Sequence, residues 1–297
     1  TQRTFEPYSE WMYFKLYTGT KMADKVLIQQ IDSITNKLKK EGVINKWFFI
    51  RYADPKNHIR LRFQLTQTTD FNTLNTVVKK DLALLVKQGV LWKIQTDTYQ
   101  RELERYGHKT MDLSESVFDI NSQTTLELLK LIKTDQLQTH RFLVGLLGVI
   151  NLFDAFDYNS EKRLILIEQS AYAFAREFGL QQSQMLRDRI KDNFRNNSAN
   201  IEQLNNGNIP EKLKVAPFFK DVLTIYKKQK QQLQPLVKNI QQAKNGKHID
   251  ELIPSYVHMF VNRFFNSNQR FEEFMIYQLL QKYYTSALAK AKYAKAR

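Results

Sequence analysis

Residues 58–65, His-Ile-Arg-Leu-Arg-Phe-Gln-Leu, alternate strictly between polar and apolar. In an extended strand such alternation sends successive side chains to opposite faces. His58, Arg60, Arg62 and Gln64 then share one face, and Ile59, Leu61, Phe63 and Leu65 share the other. Two guanidinium groups two residues apart repel each other unless an anion lies between or above them. Their planar forks suit bidentate recognition of a carboxylate. A solvated outer face, or a pair of structural ion pairs, would account for the same spacing. A second cluster, Tyr99-Gln100-Arg101-Glu102-Leu103-Glu104-Arg105-Tyr106-Gly107, puts Arg101 and Arg105 one turn apart if it is helical, with Glu102 and Glu104 at hand to neutralise them. A third, Ser255 to Arg263 (SYVHMFVNR), puts His258 and Asn262 four residues apart on one helical face. An imidazole there could exchange protons near neutral pH. It could equally be a hydrogen-bonded core residue.

Other chemistries find no support. The chain has no cysteine, so disulfides, thiolate metal sites, iron–sulfur clusters and a cysteine nucleophile are excluded. His108, His140 and His248 form no metal-ligand spacing with one another. No HExxH, GxSxG, P-loop or dinucleotide fingerprint occurs. The residues alone indicate a basic α+β protein with a candidate anion site and do not reach a reaction.

The elements that must position these residues follow from periodicity. Glu10–Thr18, Lys46–Tyr52, His58–Leu65 and Val90–Thr96 read as strands. Ala23–Glu41 has helical spacing and is followed by Gly42, and a helix capped by Asp70 runs to Lys87 before Gly89. The order β-α-β-β-α-β predicts a ferredoxin-like split βαβ sheet. Beyond Ser114 the spacing predicts helices over 122–134, 136–157, 160–178, 181–194, 213–245, 248–266 and 269–294. Pro235 is expected to kink or divide the long one, and the SYVHMFVNR helix to open after Pro254. The expected class is therefore α+β: an N-terminal half over 1–110 packed with a helical half over 111–297, as one domain over 1–297.

With 42% hydrophobic residues among 297, a sizeable core is expected, and 9 Gly and 6 Pro favour long helices over tight turns. The formal net charge of +15 attracts acidic peptides, acidic proteins or nucleic acid, or simply keeps a Lys-rich surface soluble. No Arg/Lys block with interleaved aromatics marks a nucleic-acid groove. No apolar run reaches membrane-spanning length and no signal-peptide pattern opens the chain. A cytoplasmic location is expected. Thr1 is not Met, which suits a missing start or an excised domain.

Four segments together resemble a known family. Trp11 to Tyr17 (WMYFKLY), Trp47 to Phe63 (WFFIRYADPKNHIRLRF), Tyr99 to Gly107 and Ser255 to Arg263 are similar, in order, to the motifs of the C-terminal elimination domain of class I lantibiotic dehydratases, also found alone as the thiopeptide-type bacteriocin biosynthesis protein. The resemblance implies a lyase. A separate glutamylation domain esterifies Ser or Thr of a precursor peptide from glutamyl-tRNA, and the elimination domain takes the Cα proton and expels glutamate, leaving dehydroalanine or dehydrobutyrine. It implies catalytic roles for Arg60, Arg62 and Arg101 in anion binding and for His258 in proton transfer. Arg51, Arg105, His58 and Asn262 are secondary, substrate-binding positions. No cofactor or metal is implied. The expected partners are a glutamylated precursor peptide and a separate glutamylating enzyme, with no direct nucleic-acid contact. A cyclase complex or a homodimer also fits. Two departures bear on substrate preference: Gly107 is followed by His108 where the family continues RYGG, and Phe118 to Ser122 matches FxxDS only loosely. Two rival readings are a thiopeptide pyridine synthase, which joins two dehydroalanines by formal [4+2] cycloaddition, and a non-catalytic subunit that binds precursor peptide.

Overall fold

The computed structural model describes residues 1–132, 140–210, 218–243 and 246–295. These form two compact units, Thr1–Thr134 with Pro235–Ser267, and Asp135–Gln234 with Asn268–Arg297. Two helices from the chain's helical half, α5 (Met111–Leu131) and α10 (Ile249–Phe264), thus belong to the unit that carries the sheet.

That sheet has four antiparallel strands: β2 (Trp11–Tyr17), β3 (Ile44–Ala53), β4 (Asn57–Leu65) and β5 (Lys93–Asp97), in the order β3-β4-β2-β5. A helical run crosses between β2 and β3. It consists of α1 (Thr20–Val26), a π-helical turn (Leu27–Ile31) and α2 (Asp32–Lys40), and it ends at Gly42, whose φ of 70° is the left-handed conformation a helix stop favours. The second crossover is α3 (Phe71–Lys87). Strand β5 starts later than periodicity suggests. The Val90 carbonyl accepts from the Thr18 hydroxyl and Leu91 N–H donates to Leu85 C=O, so both are occupied in the turn after α3. A short β1 (Thr4–Phe5) pairs with β6 (Tyr99–Gln100).

The alternation read in residues 58–65 is realised. Ile59, Leu61, Phe63 and Leu65 join Met12, Phe14, Leu16, Trp47 and Phe49 on one face, against Leu27, Ile31, Ile34 and Leu38 of the first crossover and Leu74, Val78 and Leu82 of α3. Each such side chain removed from water contributes about 1.5–3 kcal/mol. The other face carries Arg60 and Arg62. Register places Arg62 between Tyr13 and Phe48, and Arg60 between Lys15 and Ile50.

Strand β3 lies at a sheet edge, where unpaired backbone groups would be exposed. Side chains from two helices complete its ladder. Asp119 and Ser122 of α5 accept from Trp47 N–H and Phe49 N–H. On α10, Arg263 Nε donates to Phe49 C=O, and the Asn262 amide accepts from Arg51 N–H and donates to Arg51 C=O at 2.9 Å each. This edge capping is what fixes α5 and α10 against the arginine-bearing face.

Several boundaries differ from the periodicity reading. Tyr99 to Gly107 is not one helix: β6 is followed by a single turn, α4 (Leu103–Tyr106), so Arg101 precedes the turn that holds Arg105. Helix α5 begins at Met111, and in its first turn the Ser114 hydroxyl donates to Thr110 C=O. Helix α10 begins before Pro254, with His248 and Glu251 forming its capping box. The other unit is helical: α6 (Arg141–Ala155), α7 (Ser160–Glu177), α8 (Gln184–Asn205), the first part of α9 (Phe218–Gln242) and α11 (Gln269–Lys295). Pro235 sits inside α9 without ending it. The first residues of the 136–157 and 213–245 segments lie outside the described residues. Among the described residues no helix is long and apolar enough to cross a membrane.

Candidate functional site

A cavity of about 240 Å³ opens on the arginine-bearing face of the sheet. Its floor is Phe48, Ile50, Tyr52, Arg60 and Arg62 of β3 and β4. Its walls are Tyr99, Glu102, Arg105 and Tyr106, then Phe118 of α5, then His258, Met259, Asn262 and Arg263 of α10. Every lining residue belongs to the sheet-bearing unit.

Arg62 is 8% exposed, and its guanidinium carbon lies 4.4 Å from the ring centre of Tyr13, 4.8 Å from Tyr99 and 5.3 Å from Phe48. The ring faces stabilise the cation but do not neutralise it. Among the described residues its Nε has no hydrogen-bond partner. Burial lowers its pKa. Arg263 is fully buried. Its Nε is used on Phe49 C=O, while both terminal nitrogens lack partners among the described residues. Burial, helped by the charge of Arg62, pushes its pKa down to about 9. Isolated buried charges are costly, and proteins normally pair them. Here two line one cavity, and Glu102 is the only acidic side chain lining it among the described residues. Glu102 is itself paired with Arg105 at 3.1 Å, where both are largely exposed. Among the described residues, two buried guanidinium groups thus share a cavity whose one lining carboxylate is already engaged by Arg105.

Arg60 is held from two sides. Its guanidinium lies 3.4 Å over the centre of the Tyr52 ring, and its Nε donates to His58 Nε2 at 3.2 Å. His58 Nδ1 donates in turn to Lys56 C=O at 2.8 Å, which defines a neutral ring. Burial, opposed by that bond and aided by the charge of Arg60, lowers the pKa of His58. His58 therefore aims Arg60 and does not itself line the cavity.

The positions singled out in the sequence thus separate. Arg60, Arg62, Arg105, His258 and Asn262 line the cavity. Asn262 spends its amide on the backbone of Arg51. Arg51 lies on the opposite face of β3 from Ile50 and Tyr52, and its side chain binds Asp24 and the Arg263 carbonyl. Arg101 does not line the cavity either. Its Nε and Nη2 bind the two oxygens of buried Glu115 at 2.7 and 2.6 Å, and Nη2 also reaches Asp112 at 2.6 Å. Sequence reasoning passed over Arg263, although a signal was present. It follows Tyr256 and Phe260 at helical spacing, so a cation stands on the apolar stripe of α10.

Gly107 closes the wall segment. Its φ is 75°, and a Cβ there would stand 2.7 Å from the Thr110 hydroxyl, so only glycine fits without a shift. Among the described residues no three metal-ligating side chains converge.

Residues 11–284 match the family model described as the C-terminal region of lantibiotic biosynthesis dehydratases. The nisin biosynthesis protein NisB of Lactococcus lactis subsp. lactis is 32% identical over 129 residues, which is 43% of this chain and 12% of NisB. The crystal structure of the tRNA-dependent lantibiotic dehydratase MibB from Microbispora sp. 107891 superposes with a TM-score of 0.74 at 19% identity, over 98% of this chain and 29% of MibB. The pyridine synthase TbtD from thiomuracin biosynthesis superposes with a TM-score of 0.66 at 11% identity, over 94% of this chain and 98% of TbtD. The fold thus occurs both as a fraction of a long chain and as nearly the whole of a shorter one.

Proposed function

The chain belongs to the family of C-terminal regions of lantibiotic biosynthesis dehydratases, and on that premise we propose that its cavity expels glutamate from glutamylated serine and threonine of a precursor peptide. The Cα–H and Cβ–O bonds break, the Cα=Cβ bond forms, the proton passes to a base, and glutamate leaves as a carboxylate. The product residues are dehydroalanine and dehydrobutyrine.

One observation supports this reading above the others: among the described residues, Arg62 and Arg263 are buried cations without a partner acid. A preorganised pair of buried cations stabilises negative charge as it develops on a leaving oxygen. Arg60, aimed by Tyr52 and His58, adds a third cation at the half-buried side. His258, on the α10 wall, is assigned the proton transfer. The buried tyrosines Tyr99 and Tyr106 have pKa values raised by burial and stay protonated, so they donate hydrogen bonds and do not abstract protons. The strand order β3-β4-β2-β5 with its two helical crossovers supports reading the sheet as ferredoxin-like. Glutamylation would be supplied from outside this segment, since the chain spans a small share of NisB and MibB.

The likeness to TbtD favours a second reading, cycloaddition between two dehydroalanines. That reaction has no glutamate to hold and gives the unpaired arginines no ligand. Purified protein given a peptide already glutamylated on serine separates the two. Elimination predicts a peptide that loses glutamic acid by mass, and an Arg62→Met protein that leaves it glutamylated. Intact glutamylated peptide after prolonged incubation with the wild-type protein would overturn the reading, and turnover of a bis-dehydroalanine peptide would establish the alternative.

A further inference from the structure

Arg101 is 5% exposed, and its guanidinium is fully engaged away from the cavity. Its principal partner, Glu115, is wholly buried. A carboxylate so placed is costly unless paired. Glu115 Oε1 also accepts from the Tyr99 hydroxyl at 2.8 Å. Tyr99 is a cavity wall, and its ring face lies 4.8 Å from the Arg62 guanidinium. The contacts run in one line from Arg101 to the Glu115 carboxylate, from there to the Tyr99 hydroxyl, and from the Tyr99 ring to Arg62.

We infer that Arg101 is a positioning residue: by neutralising Glu115 it fixes the Tyr99 ring against Arg62, and so sets where the cavity's buried cation stands. The inference rests on the elimination reading for what that cation binds, but not for the geometry. Without Arg101, Glu115 keeps the Tyr99 hydroxyl as its remaining side-chain donor. It must then take up a proton or drag Tyr99 and its surroundings toward a new cation. Either outcome unseats Arg62. The damage therefore comes from a stranded carboxylate, not from a lost contact to substrate, and removing that carboxylate should undo it.

A charge-compensation cycle tests this. Arg101→Met is expected to lower the elimination rate on glutamylated peptide by about a hundredfold, the scale at which misplacement of a reacting group is felt. Adding Glu115→Gln should recover at least about tenfold of that loss, within the range of coupling between contacting residues. A residue that touched the substrate would give a double variant no better than the single one, and that result overturns the inference. A second readout is independent of the reaction. The Nε–H resonance of Arg62, shifted by the Tyr13 and Tyr99 rings, should move in Arg101→Met and return in the double variant. If wild-type protein leaves glutamylated peptide untouched, the functional reading fails while this resonance still decides the relay. Should Arg101→Met not fold, Tyr99→Phe takes its place, since it keeps the ring and removes only the hydroxyl. It should shift the Arg62 resonance and slow elimination about threefold to tenfold, the cost of one neutral hydrogen bond. An unchanged resonance and rate would overturn the inference.

Discussion

Arg62 and Arg101 are almost equally buried and lie in the same compact unit, yet they are treated in opposite ways. Arg101 is bonded to two acids and a carbonyl. Arg62 and its companion Arg263 line a cavity among aromatic rings, with nitrogens left unbonded among the described residues. A fold selected for stability alone would pair or remove such cations, since replacing buried charge by an apolar side chain is often neutral or stabilising. One region spends its charge on structure. The other leaves it beside a cavity, where the proposed elimination would use it. The same substitution should therefore have opposite consequences for stability in the two places.

The largest effect is expected at the paired site. Arg101→Met strands Glu115 and should cost about 3–5 kcal/mol of unfolding free energy, measured by denaturant titration. At the reserved site Arg62→Met should leave stability unchanged or raised, while the elimination rate falls by about a hundred- to a thousandfold, the scale of losing one preorganised stabiliser. A large loss of stability in Arg62→Met would erase the contrast.

Titration sharpens the contrast further. Arg263 has a pKa pushed down to about 9, so the folded protein gives up this proton more readily than the unfolded chain. Its charged form costs the empty protein stability below that value, and the cost fades as pH rises through it. Anion binding needs the charged form and should weaken by about tenfold per pH unit above about 9. Calorimetric titration of glutamate across this range checks the slope, and an Arg263→Met protein should lack it. The smallest effect is expected at His58. Its pKa is lowered, so its contribution is present above the ordinary histidine value and is lost as pH falls below that value toward the folded one. Protonation also severs its bond from Arg60. Elimination should drop on acidification with a midpoint below the usual histidine range, and His58→Gln, which keeps an acceptor, should flatten that drop.

How much of this was legible in the sequence follows from the range of the interactions. The strand that bears Arg60 and Arg62 was readable because period-two alternation is a local signal, and all its apolar members lie in the core. The fate of Arg101 was not, because it depends on Glu115, and α5 begins at Met111 and not near residue 122. Asn262 drew attention as a neighbour of His258 on one face. Its actual bonds, to the backbone of Arg51 across the sheet edge, leave no pattern in the local sequence. Arg263 stood in the same segment. A charged residue on an apolar helical stripe is a visible anomaly, but only the surroundings in the fold, which show no partner acid among the described residues, separate a proposed anion site from a buried salt bridge.

Free glutamate tests most directly whether Arg62 and Arg263 together bind a carboxylate, as proposed. Wild-type protein titrated with glutamate at constant ionic strength should bind it at a single site, and an Arg62→Met or Arg263→Met protein should bind at least about tenfold more weakly, the Arg62→Met protein while unfolding no more easily. Absence of glutamate binding by the wild-type protein, or equal binding by both variants, would contradict it.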